Sequence, residues 1–214
     1  MDKECCGRPG YDATFDDRFA RRLSRRYAKR GLTRTQQRLV DFLTEHGLAG
    51  ASVLEIGGGV GEVQVELLRR GAGQVTNTEI STSYEARAAD LLAQAGLTER
   101  VDRRLVDIAD APDQVAAADV VILHRVVCCY PHYGKLLSAA GSHARRLLVF
   151  SYPPAGPLTR AIIRWENLVR RLRGNEFRSY VHPPRGMVAV LEAQGLRATY
   201  RHRGWSWNVV GLER

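Results

Sequence analysis

The run Val53-Leu54-Glu55-Ile56-Gly57-Gly58-Gly59-Val60-Gly61 constrains this chain more than any other part of it. An apolar stretch closes on a carboxylate, passes through a glycine loop and opens a helical pattern at Glu62. Glycine serves where the backbone turns tightly or must approach a ligand, because it has no Cβ to clash. A strand, glycine loop and helix in this order place the loop at the carboxyl edge of a sheet, where open α/β folds hold their ligands. The run therefore predicts an α/β fold with a nucleoside-like cofactor at a known place.

The rest of the sequence supplies the other layers. Phe15, Phe19, Leu23 and Tyr27 recur every four residues with arginines between them, which predicts a basic amphipathic helix stopped by Gly31. A second helix is expected over 33–46, with Thr33 as its N-cap and Gly47 beyond its end. After the cofactor strand, helices are expected over 62–70, 83–96, 112–117 and 133–140, and strands over 74–78, 101–106, 119–123 and 146–151. Apolar strands separated by helices mean a parallel sheet covered on both faces. The tail differs: a helix over 185–194, then strands over 196–203 and 206–213 separated by Gly204-Trp205, an antiparallel hairpin. Residues 1–47 thus form an N-terminal helical arm or lid, with 1–14 lacking any periodic pattern. Residues 48–214 form one domain, with a basic, aromatic insertion at 153–184.

Charge and cysteine content narrow the class. The net charge of +9 rests almost wholly on arginine, in clusters around residues 18–30 and 160–178. Such clusters suit solvated helix faces or an anionic partner, and nucleic acid is not the expected one. The cysteines come as adjacent pairs, Cys5-Cys6 and Cys128-Cys129, a spacing poor for chelating one metal, so no metal site is expected. No segment is long and apolar enough to span a bilayer, the first ten residues lack a signal-peptide core, and a cytoplasmic protein without a disulfide framework is expected.

The loop discriminates among cofactors. A dinucleotide fingerprint needs a third glycine where Glu62 stands, and a carboxylate there repels a pyrophosphate. A P-loop needs Gly-Lys-Ser/Thr, which is missing. The pattern Glu55-x-Gly57-x-Gly59-x-Gly61, with Glu79 closing the second strand and Asp107-Ile108 closing the third, resembles class I S-adenosylmethionine-dependent methyltransferases over residues 48–214. The resemblance implies a Rossmann-like seven-stranded, mostly parallel sheet with helices on both faces. It also implies S-adenosyl-L-methionine as cofactor, contacted by Glu55, Gly57, Gly58, Gly59, Gly61, Glu79, Ile80, Asp107, Ile108 and His124. Glu79 would accept from the ribose hydroxyls, while Asp107 and Ile108 would meet the adenine.

The acceptor side is less determined. Methyl transfer is an in-line displacement that needs alignment, and a base only if the acceptor carries a proton. His124, Tyr130 and His132, all after the fourth strand, are the catalytic candidates. Ser151-Tyr152-Pro153-Pro154 has the wrong order and place for the Asn/Asp-Pro-Pro-Tyr box of amino-methylating enzymes. A fainter similarity to magnesium-protoporphyrin IX O-methyltransferases covers the helical arm, Cys128-Cys129-Tyr130-Pro131 and the basic insertion. Cys129 stands at that family's histidine and Arg125 at its acid, so only Tyr130 and the arm's Tyr27 carry over by position. Tyr27, Arg125 and Trp165 are the substrate candidates. Residues 162–168 suit either a lid over a flat or acidic molecule, or a helix packed on the sheet with its arginines in water. The function expected is methyl transfer to a small organic molecule at oxygen. An RNA or protein methyltransferase, or an inactive cofactor-binding protein, is the alternative.

Overall fold

The structure, a computed structural model, describes residues 10–214. Cys5 and Cys6 lie outside the described residues. The arm comprises α1 (Tyr11–Thr14), α2 (Asp17–Arg30) and α3 (Arg34–Glu45). There follow β1 (Ser52–Ile56), α4 (Glu62–Arg69), β2 (Gln74–Glu79), α5 (Glu85–Ala95), β3 (Val101–Leu105) and β4 (Ala118–Leu123). The chain continues through α6 (Tyr133–His143), β5 (Ala144–Tyr152), α7 (Pro157–Leu172), α8 (Pro184–Glu192), β6 (Arg197–His202) and β7 (Asn208–Glu213).

All seven strands join one sheet in the order β3-β2-β1-β4-β5-β7-β6. Strands β1 to β5 are parallel and β7 pairs antiparallel with both β5 and β6, giving the α/β sheet and terminal hairpin that the sequence predicts. The order reverses between β1 and β4, and a crevice forms where loops leave such a pair in opposite directions. Glu55, level with Asn77 of β2 and Ile122 of β4, sits one residue from that edge.

Alternation along the strands sorts the core. Leu54, Ile56, Val121, Leu123, Leu148 and Phe150 face α6 and α8, while Val53, Val75, Val120, Ile122, Leu147 and Val149 face α3 and α4. Each such buried side chain contributes about 1.5–3 kcal/mol. The arm is part of this packing. Thr33 and Gln36 form a reciprocal capping box at the start of α3, and Phe42 of that helix lies over Gly211 of β7, where a Cβ would come within 2.5 Å of the ring. Helix α2 crosses the loop after β1: Ala20 packs with Val60 and Tyr84, joined by Phe15, Phe19 and Leu23.

Two local expectations change. The helix expected over 112–117 is a single 3-10 turn, Pro112–Gln114, because Val115 is extended into the core and the buried His143 bonds through Nε2 to the carbonyls of Pro112 and Val115 (3.1 and 3.0 Å). The insertion forms one helix, α7, but its apolar side is not packed on the sheet: Leu158, Ile162, Trp165, Leu168 and Leu172 are all exposed. Among the described residues no helix is long and apolar enough to cross a membrane.

Candidate functional site

A cavity of about 660 Å³ opens at the carboxyl edge, between the loop after β1, the arm and α7. One wall is backbone. Gly57, Gly59 and Gly61 all have positive φ (68°, 56° and 88°), a conformation other residues adopt only with strain. Gly58 is glycine for a different reason: a Cβ there would stand 2.3 Å from Asn77 Oδ1 and 2.5 Å from both Glu55 Oε2 and Gln64 Nε2. The loop is held by buried polar groups beneath it. Gly58 N–H donates to Asn77 Oδ1 (3.0 Å), Gly59 N–H to Glu79 Oε2 (3.1 Å), and Arg103 donates to the carbonyl of Gly59 (2.9 Å) while pairing with Glu85 (2.8 Å). Sequence reasoning missed Arg103, Gln64 and Asn77; the one signal was polar side chains inside elements that otherwise bury apolar ones.

Three acidic side chains gather on this wall. Glu55, Glu62 and Glu79 are all buried. Burial pushes the Glu55 carboxyl up to about 8, and it also raises Glu62 and Glu79 above the usual carboxylate range. Glu55 Oε2, Asn77 Nδ2 and Thr78 Oγ1 have no hydrogen-bond partner among the described residues. Glu79 spends one oxygen on Gly59 and the other on the N–H of Ile80 (2.9 Å), which leaves acceptor capacity on both. Asp107 caps a turn by accepting from Ala109 N–H (3.0 Å), and the Tyr130 hydroxyl reaches its carboxylate at 3.1 Å.

The end of β4 forms the floor. Arg125 is the one described non-glycine residue with positive φ (62°). Its N–H donates to Ser151 Oγ (3.0 Å), which also contacts His124 Nδ1 (3.0 Å), and its guanidinium lies 4.7 Å from the Trp207 ring. Desolvation and the nearby Arg125 and Arg26 push His124 down to about 3, so it is neutral at ordinary pH. The thiols of Cys128 and Cys129 are 3.8 Å apart, and the Tyr11 hydroxyl donates to the Cys129 carbonyl, tying α1 to this floor.

The remaining wall is basic and aromatic. Phe15, Phe19, Arg22 and Arg26 enter from the arm, Ile163, Glu166 and Arg170 from α7, and Phe177 from the segment after it. Of the sequence candidates, Glu55, Gly57, Gly58, Gly59, Glu79, Ile80, Asp107, Ile108, His124, Arg125 and Tyr130 line the cavity.

The others are placed elsewhere. Gly61 caps α4 behind the loop. Tyr27 points away from the cavity and donates to Glu66 (2.6 Å). His132 is exposed at the start of α6. Trp165 is 66% exposed because the helical period that turns Ile163, Glu166 and Arg170 inward turns it outward. Tyr27, His132 and Trp165 therefore do not meet the other candidates.

A family model described as a methyltransferase domain matches residues 19–201. The chain belongs to this methyltransferase family. Its fold is that of the class I, S-adenosylmethionine-dependent methyltransferases. The magnesium protoporphyrin IX methyltransferase of Synechocystis PCC 6803, solved with bound SAH, superposes with a TM-score of 0.73 at 20% identity, over 94% of this chain and 97% of that one. An O-methyltransferase family protein from Burkholderia thailandensis gives 0.73 at 19% identity, over 95% and 62%. An O-methyltransferase family 2 protein from Planctomyces limnophilus, in complex with apigenin, gives 0.67 at 18%, over 92% and 61%. No curated protein sequence matches the chain.

The wall suits this methyltransferase's donor. S-adenosylmethionine carries an ammonium and a sulfonium and no phosphate. Three buried carboxylates, orphaned polar atoms and a glycine cradle at the sheet edge favour a cation over a pyrophosphate.

Proposed function

We propose that this methyltransferase places the donor's methyl group on a carboxylate oxygen of a flat, anionic small molecule. The carrying observation is the contrast at the acceptor end: Arg22, Arg26, Arg125 and Arg170 border the cavity, while the one histidine there, His124, is held near pH 3. A phenol or amine acceptor needs its proton removed, and so weak a base serves poorly. A carboxylate is already ionised, needs no base, and is held well by guanidinium groups. Phe15, Phe19, Phe177 and Trp207 offer ring faces and edges to a planar body. The likeness to a magnesium protoporphyrin IX methyltransferase and to O-methyltransferases favours oxygen as the acceptor atom.

In this reading Glu55 and residues 57–61 hold the donor's amino-acid end, Glu79 its ribose, and Asp107 with Ile80 and Ile108 its adenine. The donor supplies an electrophilic methyl on a sulfonium. The chain's own work is alignment, and the elements that do it are spread over distant parts of the sequence. Ser151 fixes His124 and Arg125 at the floor. The helical arm, residues up to 47, and the 153–184 insertion wall off the acceptor, while 48–214 forms the donor-binding domain. Tyr130, bound to Asp107, couples the adenine end to the acceptor floor.

The reading is tested by incubating the protein with isotopically labelled S-adenosylmethionine and a panel of aromatic and tetrapyrrole carboxylates, each beside its primary amide. Label in a base-labile methyl ester from the acids alone is the expected result. Label only in phenols, amines, protein or RNA would refute it.

A further inference from the structure

Helix α7 has its polarity reversed relative to an ordinary surface helix. Leu158, Ile162, Trp165, Leu168 and Leu172 are exposed by 67, 48, 66, 46 and 78%, and they fall on one face by helical spacing. The opposite face, with Glu166 and Arg170, looks into the cavity. Arg160, Arg164 and Arg171 run along one flank of the apolar face, and the helix carries four arginines against Glu166, which Arg170 already pairs (3.2 Å).

Across the cavity mouth, α2 presents Arg18, Arg21, Arg22 and Arg25 as a cluster. Trp205, 94% exposed, sits in the β6–β7 turn, at the same carboxyl edge because Asn208 pairs with Tyr152.

We propose that this rim docks on an anionic membrane surface, with α7 lying in the headgroup boundary, its apolar face toward the acyl chains and the arginines on lipid phosphates. A wide apolar face edged by arginine and carrying tryptophan is what an interfacial helix needs. Sixteen residues with four arginines do not make a span. A second copy is the poorer occupant. An antiparallel two-fold interface would set the same face against itself and bring the arginine flanks of two α7 helices together. Charge complementarity selects a negative surface. The inner face of the same helix borders the acceptor cavity, so docking would set that cavity beside the bilayer with α7 between them. The docking itself does not depend on which acceptor is methylated.

The test is flotation of the full chain with phosphatidylcholine vesicles and with phosphatidylcholine/phosphatidylglycerol vesicles, followed by tryptophan emission. Expected are flotation with the anionic vesicles only, loss of binding as salt rises, and a blue shift that Trp165→Phe diminishes. The double variant Trp165→Glu/Leu172→Glu should partition at least roughly tenfold less. Each of Arg160→Gln and Arg164→Gln should lose roughly fivefold. Because all four side chains are exposed, thermal melting should not move.

Three results would overturn the proposal. In one, wild type stays with neither vesicle. In another, the double variant binds like wild type. In the third, light scattering finds a dimer that the double variant dissolves while vesicle binding is absent.

Discussion

The two walls of the cavity are built by opposite means. The donor wall is backbone pinned by buried groups: glycines at positive φ, with Asn77, Glu79 and Arg103 each bonded to the loop. The acceptor wall is long side chains from α2, α7 and residues 177–179, elements far apart in the chain. The first wall is tight at Gly58, where a Cβ would stand 2.3 Å from Asn77 Oδ1. The second is held by side-chain contacts such as Asn167 donating to the Ser179 carbonyl (2.8 Å). In the proposed reading the backbone wall holds the donor and the side-chain wall receives the acceptor.

The comparison breaks most readily at Gly58. Gly58→Val forces heavy atoms into Asn77, Glu55 and Gln64, and calorimetry should find S-adenosylmethionine affinity reduced by at least about a hundredfold, as expected for overpacking in a rigid site. If binding persists, the donor wall yields to an added side chain and is not rigid.

The electrostatics of that wall predict a pH dependence. Glu55 ionises only near pH 8 in the free protein, against an ordinary value of 4.5, so a cationic donor that draws out its charge must expel a proton below that pH. Affinity should rise by up to about tenfold per pH unit toward pH 8 and then level off, with Glu55→Gln flattening the curve. The sign for folding is opposite. A raised carboxyl favours the folded protein below pH 4.5, and that contribution is lost as pH climbs through 8. Unliganded wild type should therefore lose melting temperature relative to Glu55→Gln across this interval.

Arg103→Met removes the charged donor to the Gly59 carbonyl. Donor affinity should fall by about tenfold or more, from the roughly 1.5–3 kcal/mol carried by a hydrogen bond to a charged group. The acceptor KM measured at saturating donor should stay unchanged.

On the other wall, Arg26→Gln should raise the KM for a carboxylate acceptor by roughly tenfold, also within that range. Equilibrium dialysis should find the donor Kd unmoved. A variant that shifted both constants would erase the distinction between the walls.

The same distinction governs what could be read from the sequence. Strands β1, β4 and β5 were legible because burial on both faces demands near-continuous apolar runs, and the loop because its conformation demands glycine. Arg103, Gln64 and Asn77 were not, since the groups they satisfy come from elsewhere in the fold. Tyr27 and Trp165 lie outside the cavity for a related reason. Periodicity finds an apolar helix face but does not say what covers it: for α2 the cover is the loop region, and for α7 no described residue does so. The Pro112 turn shortened because His143, some thirty residues on, takes the carbonyls that a longer helix would have used.

The seat of Phe42 on Gly211 has a consequence for how the molecule is made. The apolar side of α3, Leu39, Phe42 and Leu43, rests in part on β5 and β7, strands made long after it. At about 5–20 residues per second, the first helices wait on the order of ten seconds for the last strand. Through that interval the part of the α3 face that β5 and β7 cover stays bare, while β1 and α4 cover the rest. The nascent chain is then exposed to aggregation, and deleting β7 should unseat α3.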